Sequence, residues 1–207
     1  YWFALHNLRV ALRMLSTTPP DERPPHQLFA ASLLYAWSIV DSGNRLRVLL
    51  GSFPNMRKSS SGYQALIRRL RLLEDLRNPI QHLDSELRDP SRIETASPVW
   101  GALTWVFIRD REEQKLSVFT LVAGSVGNMG APLPIINPIG GQLADDVDRI
   151  ELTAYDATVS LSGLANPMIE LIEDFERQLR PQFDGLDHSA SDLLIRLDMT
   201  GVETPGE

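Results

Sequence analysis

Residues 61–88 read SGYQALIRRLRLLEDLRNPIQHLDSELR, and the reading of this stretch decides the fold. Leu66, Leu70 and Leu73 recur at helical spacing with arginines between them, so an amphipathic helix is expected from about Tyr63. Pro79 has no backbone donor and pushes Asn78 away from helical angles, which predicts that the helix stops or kinks at Arg77. A second helix is expected to start at once. Asn78 is a favoured N-cap, Pro79 a favoured first helical residue, and Gln81 holds the position where a capping box wants Glu or Gln. Arg77 then stands just before the cap and His82 at the fourth helical position, the pair that meets in a hydrophobic staple. Guanidinium and imidazole are brought together at the positive end of a helix, a corner that suits a phosphate.

Arg77-Asn78, three residues, then His82 and Leu83-Asp84 resembles the R-x4-6-H motif of the HEPN domains, many of which are RNA-cleaving toxins or defence proteins. The resemblance covers the helical part of the chain, roughly 1–88 and a late helix. It implies a metal-independent endoribonuclease with Arg77, His82 and Asn78 as catalytic residues, RNA as ligand and a homodimer whose two motifs face one cleft. An antitoxin or other protein partner also fits such a family.

The chemistry of the corner agrees with that expectation. Cutting RNA without a metal needs a base for the ribose 2'-hydroxyl, an acid for the leaving 5'-oxygen and a cation for the phosphorane, and it leaves a 2',3'-cyclic phosphate. His82 titrates near neutral pH and serves as base or acid; Arg77 holds the phosphate through its fork of donors; Asn78 orients the scissile group. Glu86, one turn beyond His82, is placed by spacing alone to accept a hydrogen bond from the ring. One histidine cannot easily act on both sides of a phosphate in one step, so two symmetry-related copies are expected. Leu72 and Leu76 lie off the main apolar stripe and are candidates to cover the second copy. The same residues also admit a purely structural account, in which Asn78 and Pro79 only cap, Arg77 pairs with Glu74 or Asp75, and His82 pairs with Glu86. Under it the chain is a non-catalytic nucleotide-binding or protein-interaction domain.

Composition sets the outer bounds. A chain of 207 residues with 43% hydrophobic content can bury one good core or a core and a smaller subdomain. Cysteine is absent and the histidines, His6, His26, His82 and His188, are scattered, so neither a disulfide framework nor a zinc site is indicated and no cofactor is expected. The most apolar run, 28–40, is shorter than the roughly 20 residues a bilayer requires and contains Ser32 and Ser38, which predicts a buried helix and no membrane partner. No signal peptide stands at the front, and Tyr1 opens the chain inside an apparent helix without an initiator Met, as in a piece trimmed from something longer; cytoplasmic residence is the default expectation. The net charge of −7 argues against a surface that binds nucleic acid all over. Between 45 and 77, however, Arg45, Arg47, Arg57, Lys58, Arg68, Arg69, Arg71 and Arg77 face only Glu74 and Asp75, a local balance of +6. Arg68, Arg69 and Arg71 are the expected nucleic-acid contacts, with a solvated helix face as the alternative.

In chain order, residues 1–15 predict a first amphipathic helix and 27–50 a long second one, interrupted near Ser42-Gly43. After Pro98, residues 100–108 and 116–123 are rich in Val, Phe, Trp and Thr and flank a charged run, which predicts a β-hairpin. The glycine- and proline-rich 124–141 is read as a crossing loop; it lacks a Walker lysine, so its resemblance to a phosphate loop is turn chemistry. Residues 150–155 alternate as a third strand does, and apolar residues from Leu161 to Leu179 predict a last helix packing back on the first three. The expected fold is α+β: a mostly helical up-and-down bundle of HEPN type in a single domain over 1–180, with a small antiparallel β insertion at about 98–157 before the last helix and an acidic tail over 181–207.

Overall fold

The computed structural model describes residues 1–52, 58–81, 101–122, 143–154 and 157–183. Helix α1 (Trp2–Thr17) buries Leu5, Leu8, Leu12 and Leu15, the stripe its spacing dictates. Helix α2 (His26–Ser52) runs without interruption through Ser42-Gly43. Gly43 there is an approach point for a neighbouring helix: a Cβ on it would overlap Leu73 Cδ1 and lie 3.7 Å from Leu70 Cδ2. Both leucines belong to helix α3 (Ser61–Gln81), whose start is capped by Ser60 Oγ, the acceptor for the Tyr63 amide at 3.3 Å.

The break expected at Asn78-Pro79 is absent, because α3 continues through both residues to Gln81. Proline inside a helix costs about 3 kcal/mol. Against that, Leu76 in the preceding turn is fully buried, worth about 1.5–3 kcal/mol, and Arg77 Nε donates to Asp41 Oδ1 of α2 at 3.0 Å. Packing of the last turn on α2 offsets the local penalty.

A four-stranded antiparallel sheet, order β2-β1-β3-β4, is formed by β1 (Ala102–Asp110), β2 (Lys115–Val122), β3 (Val147–Ala154) and β4 (Ala157–Ser160). The expectation of a helical bundle with a small β insertion is thereby overturned: the described residues build four α-helices together with this sheet, and the sheet is part of the core. Leu103, Trp105, Val147, Ile150, Leu152, Ala154 and Val159 sit in the same apolar cluster as the leucines of α1, α2 and α3. The bundle expectation treated the hairpin as peripheral, yet β1 is buried from Ala102 to Val106 on both of its faces, as befits a strand flanked by two others. It also lacked β4, whose Ala-Thr-Val-Ser is too short and polar to announce a strand.

After β4 a single 3-10 turn (Ser162–Leu164) leads into helix α4 (Ala165–Phe183). Ala165 and Met168 join the core cluster. The chain divides at this helix into two compact units, 1–171 and 172–207. In the second unit the described residues are the later turns of α4, where Arg177 donates to Asp174 at 2.8 Å. Among the described residues no helix is long and apolar enough to cross a membrane.

Three polar ties seat α1 on the sheet. The Tyr1 hydroxyl donates to the Leu161 carbonyl at 2.7 Å, Arg9 and Arg13 reach Asp145 at 3.3 Å each, and Trp105 Nε1 donates to Ser16 Oγ at 2.9 Å. The last is wholly buried, and Ser16 passes its own hydrogen to the Leu12 carbonyl at 2.8 Å. Ser16→Ala leaves the buried indole N–H without an acceptor, and equilibrium urea unfolding is expected to show a loss of about 1–3 kcal/mol. A change under a few tenths would mean the indole finds water instead.

Candidate nucleic-acid interface

The basic stretch sorts itself once the partners of each cation are known. Arg45 is paired with Asp41 at 2.6 Å, Arg47 with Glu74 at 2.7 Å and Arg77 with Asp41 at 3.0 Å, while Lys58 Nζ donates to the Gly51 carbonyl at 2.7 Å. Arg47 and Arg77 tie α3 to α2, Lys58 ties the residues before α3 to the last turn of α2, and Arg45 pairs within α2. Arg68, Arg69 and Arg71 are exposed and have no ion-pair partner among the described residues. Arg68 and Arg71 are three residues apart, so they stand about 60° from each other and about 4.5 Å apart along the axis. They share the outward face of α3 with Gln64, Asp75 and Asn78, all exposed, and Arg69 flanks it beside Leu72.

The helix start expected at Asn78-Pro79 is not built, since both residues continue α3. Arg77 lies half-buried against α2, with Asp41 as partner in place of the expected Glu74 or Asp75. Asn78 is an exposed helical residue and caps nothing. His82 and Glu86 lie outside the described residues. Of the two leucines proposed to cover a second copy, Leu76 is buried inside the fold and Leu72 is exposed.

One polar concentration has no counterpart in the sequence reading. Pairing registers place Thr120 of β2, Thr104 of β1, Glu151 of β3 and Ser160 of β4 in a single row across the sheet, on the face away from α1. Burial pushes the Glu151 carboxyl above its ordinary range, with Arg149 pulling it partly back. The Thr104 hydroxyl is buried without a hydrogen-bond partner among the described residues. The row is invisible in the sequence because it depends on register between strands up to 56 residues apart, counted from Thr104 to Ser160. Among the described residues no group of three or more His, Asp or Glu side chains is arranged to hold a metal ion.

No protein-family model matches the chain, and no curated protein or solved structure matches it. The likeness to the HEPN motif therefore rests on residues 77–84 alone.

Proposed function

We propose that the chain binds RNA in the cytoplasm through the phosphate backbone, with Arg68, Arg69 and Arg71 of α3 as the contact face and without cleaving it. The observation that carries this reading is the division among the arginines. Arg45, Arg47 and Arg77 are paired with Asp41 or Glu74, whereas Arg68, Arg69 and Arg71 are exposed and form no ion pair among the described residues, with Asp75 on the same face. An exposed guanidinium recognises phosphate through paired donors, and backbone contacts of this kind fix position without reading sequence. The net charge of −7 suits a local contact face better than a surface that is basic throughout. Cleavage is left out because Arg77 is engaged by Asp41 and the helix runs on through Asn78-Pro79.

Titration of a labelled RNA by fluorescence anisotropy in the presence of a chelator, followed by analysis of the RNA recovered, tests the proposal. Saturable binding with intact RNA is expected. A 2',3'-cyclic phosphate product that disappears in His82→Ala would overturn the non-catalytic part, and absence of binding would overturn the whole.

Asp41 offers a test of opposite sign. Its carboxylate neutralises Arg45 and Arg77 at a partly exposed site, so Asp41→Asn is expected to change stability by only about 0–1 kcal/mol. The same change removes a negative charge and leaves Arg45 without its carboxylate. RNA affinity should rise in Asp41→Asn, measured by the same anisotropy titration, and a fall would show that Asp41 contributes something other than charge neutralisation.

A further inference from the structure

We infer that Glu151 of β3, flanked by Ser160 of β4 and Thr104 of β1, forms a binding site for a guanidinium group, independently of the arginines of α3. Both neighbours stand directly opposite Glu151 in the pairing register, so the three side chains project from the same face of the sheet. The next polar pair on that face shows how such groups are settled without a ligand: the Thr153 and Thr158 hydroxyls, also directly opposite, bond each other at 2.9 Å. The Glu151 row is not settled in this way. Its carboxyl takes part in no ion pair or side-chain hydrogen bond among the described residues, and the wholly buried Thr104 hydroxyl has no partner among them either. An unmade hydrogen bond of this kind costs stability, and native structures keep few of them without a use.

The chemistry of the ligand follows from the charge. Burial holds the Glu151 carboxyl above its ordinary range, and Arg149, two residues earlier, pulls it only partly back. A partly buried carboxylate in want of a counter-charge selects a cation. A metal ion is a poor match, because no group of three or more His, Asp or Glu side chains gathers among the described residues. A guanidinium is a good one: it is more weakly hydrated than an ammonium, and its planar fork meets both oxygens of one carboxylate while further N–H donors point sideways. Ser160 offers an acceptor on that side. It is exposed, and its Oγ is held in place by the Gly163 amide, which donates to it at 3.2 Å and leaves the hydroxyl a second lone pair. Once the ligand keeps Glu151 ionised, the Thr104 hydroxyl has an acceptor across the strand pair. Thr104 is thus a positioning residue, in contact with the carboxylate and not with the ligand.

Amide shifts in a proton–nitrogen correlation spectrum report binding of two probes, agmatine for a free small molecule and N-acetyl-arginine amide for the side chain of a peptide, with cadaverine as an ammonium of matched length. Saturable shifts of β3 and β4 amides are expected with at least one guanidinium probe, and the tighter of the two identifies the source. Glu151→Gln should weaken that binding roughly ten-fold or more, through loss of the charge-assisted pair of bonds. Near neutral pH the same variant should unfold at a higher urea concentration than the native protein. A carboxyl whose pKa is raised by folding ionises at a cost to the fold, and Gln removes that cost. This outcome separates a carboxylate held for a ligand from one kept for structure. Shifts absent with both guanidinium probes, equal binding by cadaverine, binding that survives Glu151→Gln, or a variant less stable than the native chain would each overturn the inference.

Discussion

Leu73→Ala is expected to lower the stability of the fold by about 3–5 kcal/mol, a large share of the roughly 5–15 kcal/mol that separates folded from unfolded domains. Leu73 is fully buried, and its Cδ1 fills the space that a side chain on Gly43 of α2 would need. Truncation removes that methyl and leaves a cavity at the closest approach of two helices. The cavity is shaped for one particular repair. Gly43→Ala gains about 1 kcal/mol in helix propensity, but in the native background Leu73 must first move aside. In the Leu73→Ala background the new methyl enters vacated space. Urea unfolding of the two single variants and the double should therefore show Gly43→Ala stabilising the truncated protein more than the native one. Equal effects in both backgrounds would show that Leu73 moves aside without cost and that the contact does not set the helix spacing.

The second large effect concerns RNA. Three phosphate contacts on a duplex give a log-log salt slope of about −2.7, so affinity is expected to fall roughly 40-fold between about 50 and 200 mM salt. Replacing Arg68, Arg69 and Arg71 together by Ala should flatten that slope by nearly all of its value and remove binding at physiological salt. Each single replacement should reduce the slope by about 0.9 and weaken binding by a similar factor whatever the RNA sequence. All three side chains are exposed and unpaired among the described residues, so thermal unfolding of the triple variant should match that of the native chain. A slope unchanged in the triple variant would move the contact face away from α3.

The parts of this architecture that could be read from the sequence are those whose cause is local. The leucines of α1 repeat at threes and fours, and the hairpin announces itself through β-branched and aromatic runs around the charged Arg109–Lys115 turn. The misreadings share one origin. Pro79 and Gly43 are helix breakers by local chemistry, and both are overruled by contacts across the α2–α3 seam, Asp41 with Arg77 and Gly43 with Leu73. Local propensity could not foresee partners 36 and 30 residues away. Strand β4 was missed for a related reason, since it gains its identity only by pairing with β3. In the basic stretch the positions of the arginines are plain, but which of them are available is decided by carboxylates on another helix.

The seating of α1 has a consequence for the order in which the chain is made. Its first residue is tied to Leu161, its middle to Asp145 and its end to Trp105, so these anchors do not exist when the helix leaves the ribosome. At roughly 5–20 residues per second, about 8–30 s of synthesis separate Tyr1 from Leu161. Early in that interval α2 is the next apolar helix to emerge that can shelter Leu5, Leu8 and Leu12, before α3 and β1 join it. The nascent chain must wait with its first helix half-housed, and a ribosome that pauses before residue 161 prolongs the period in which this helix is open to chaperones and proteases.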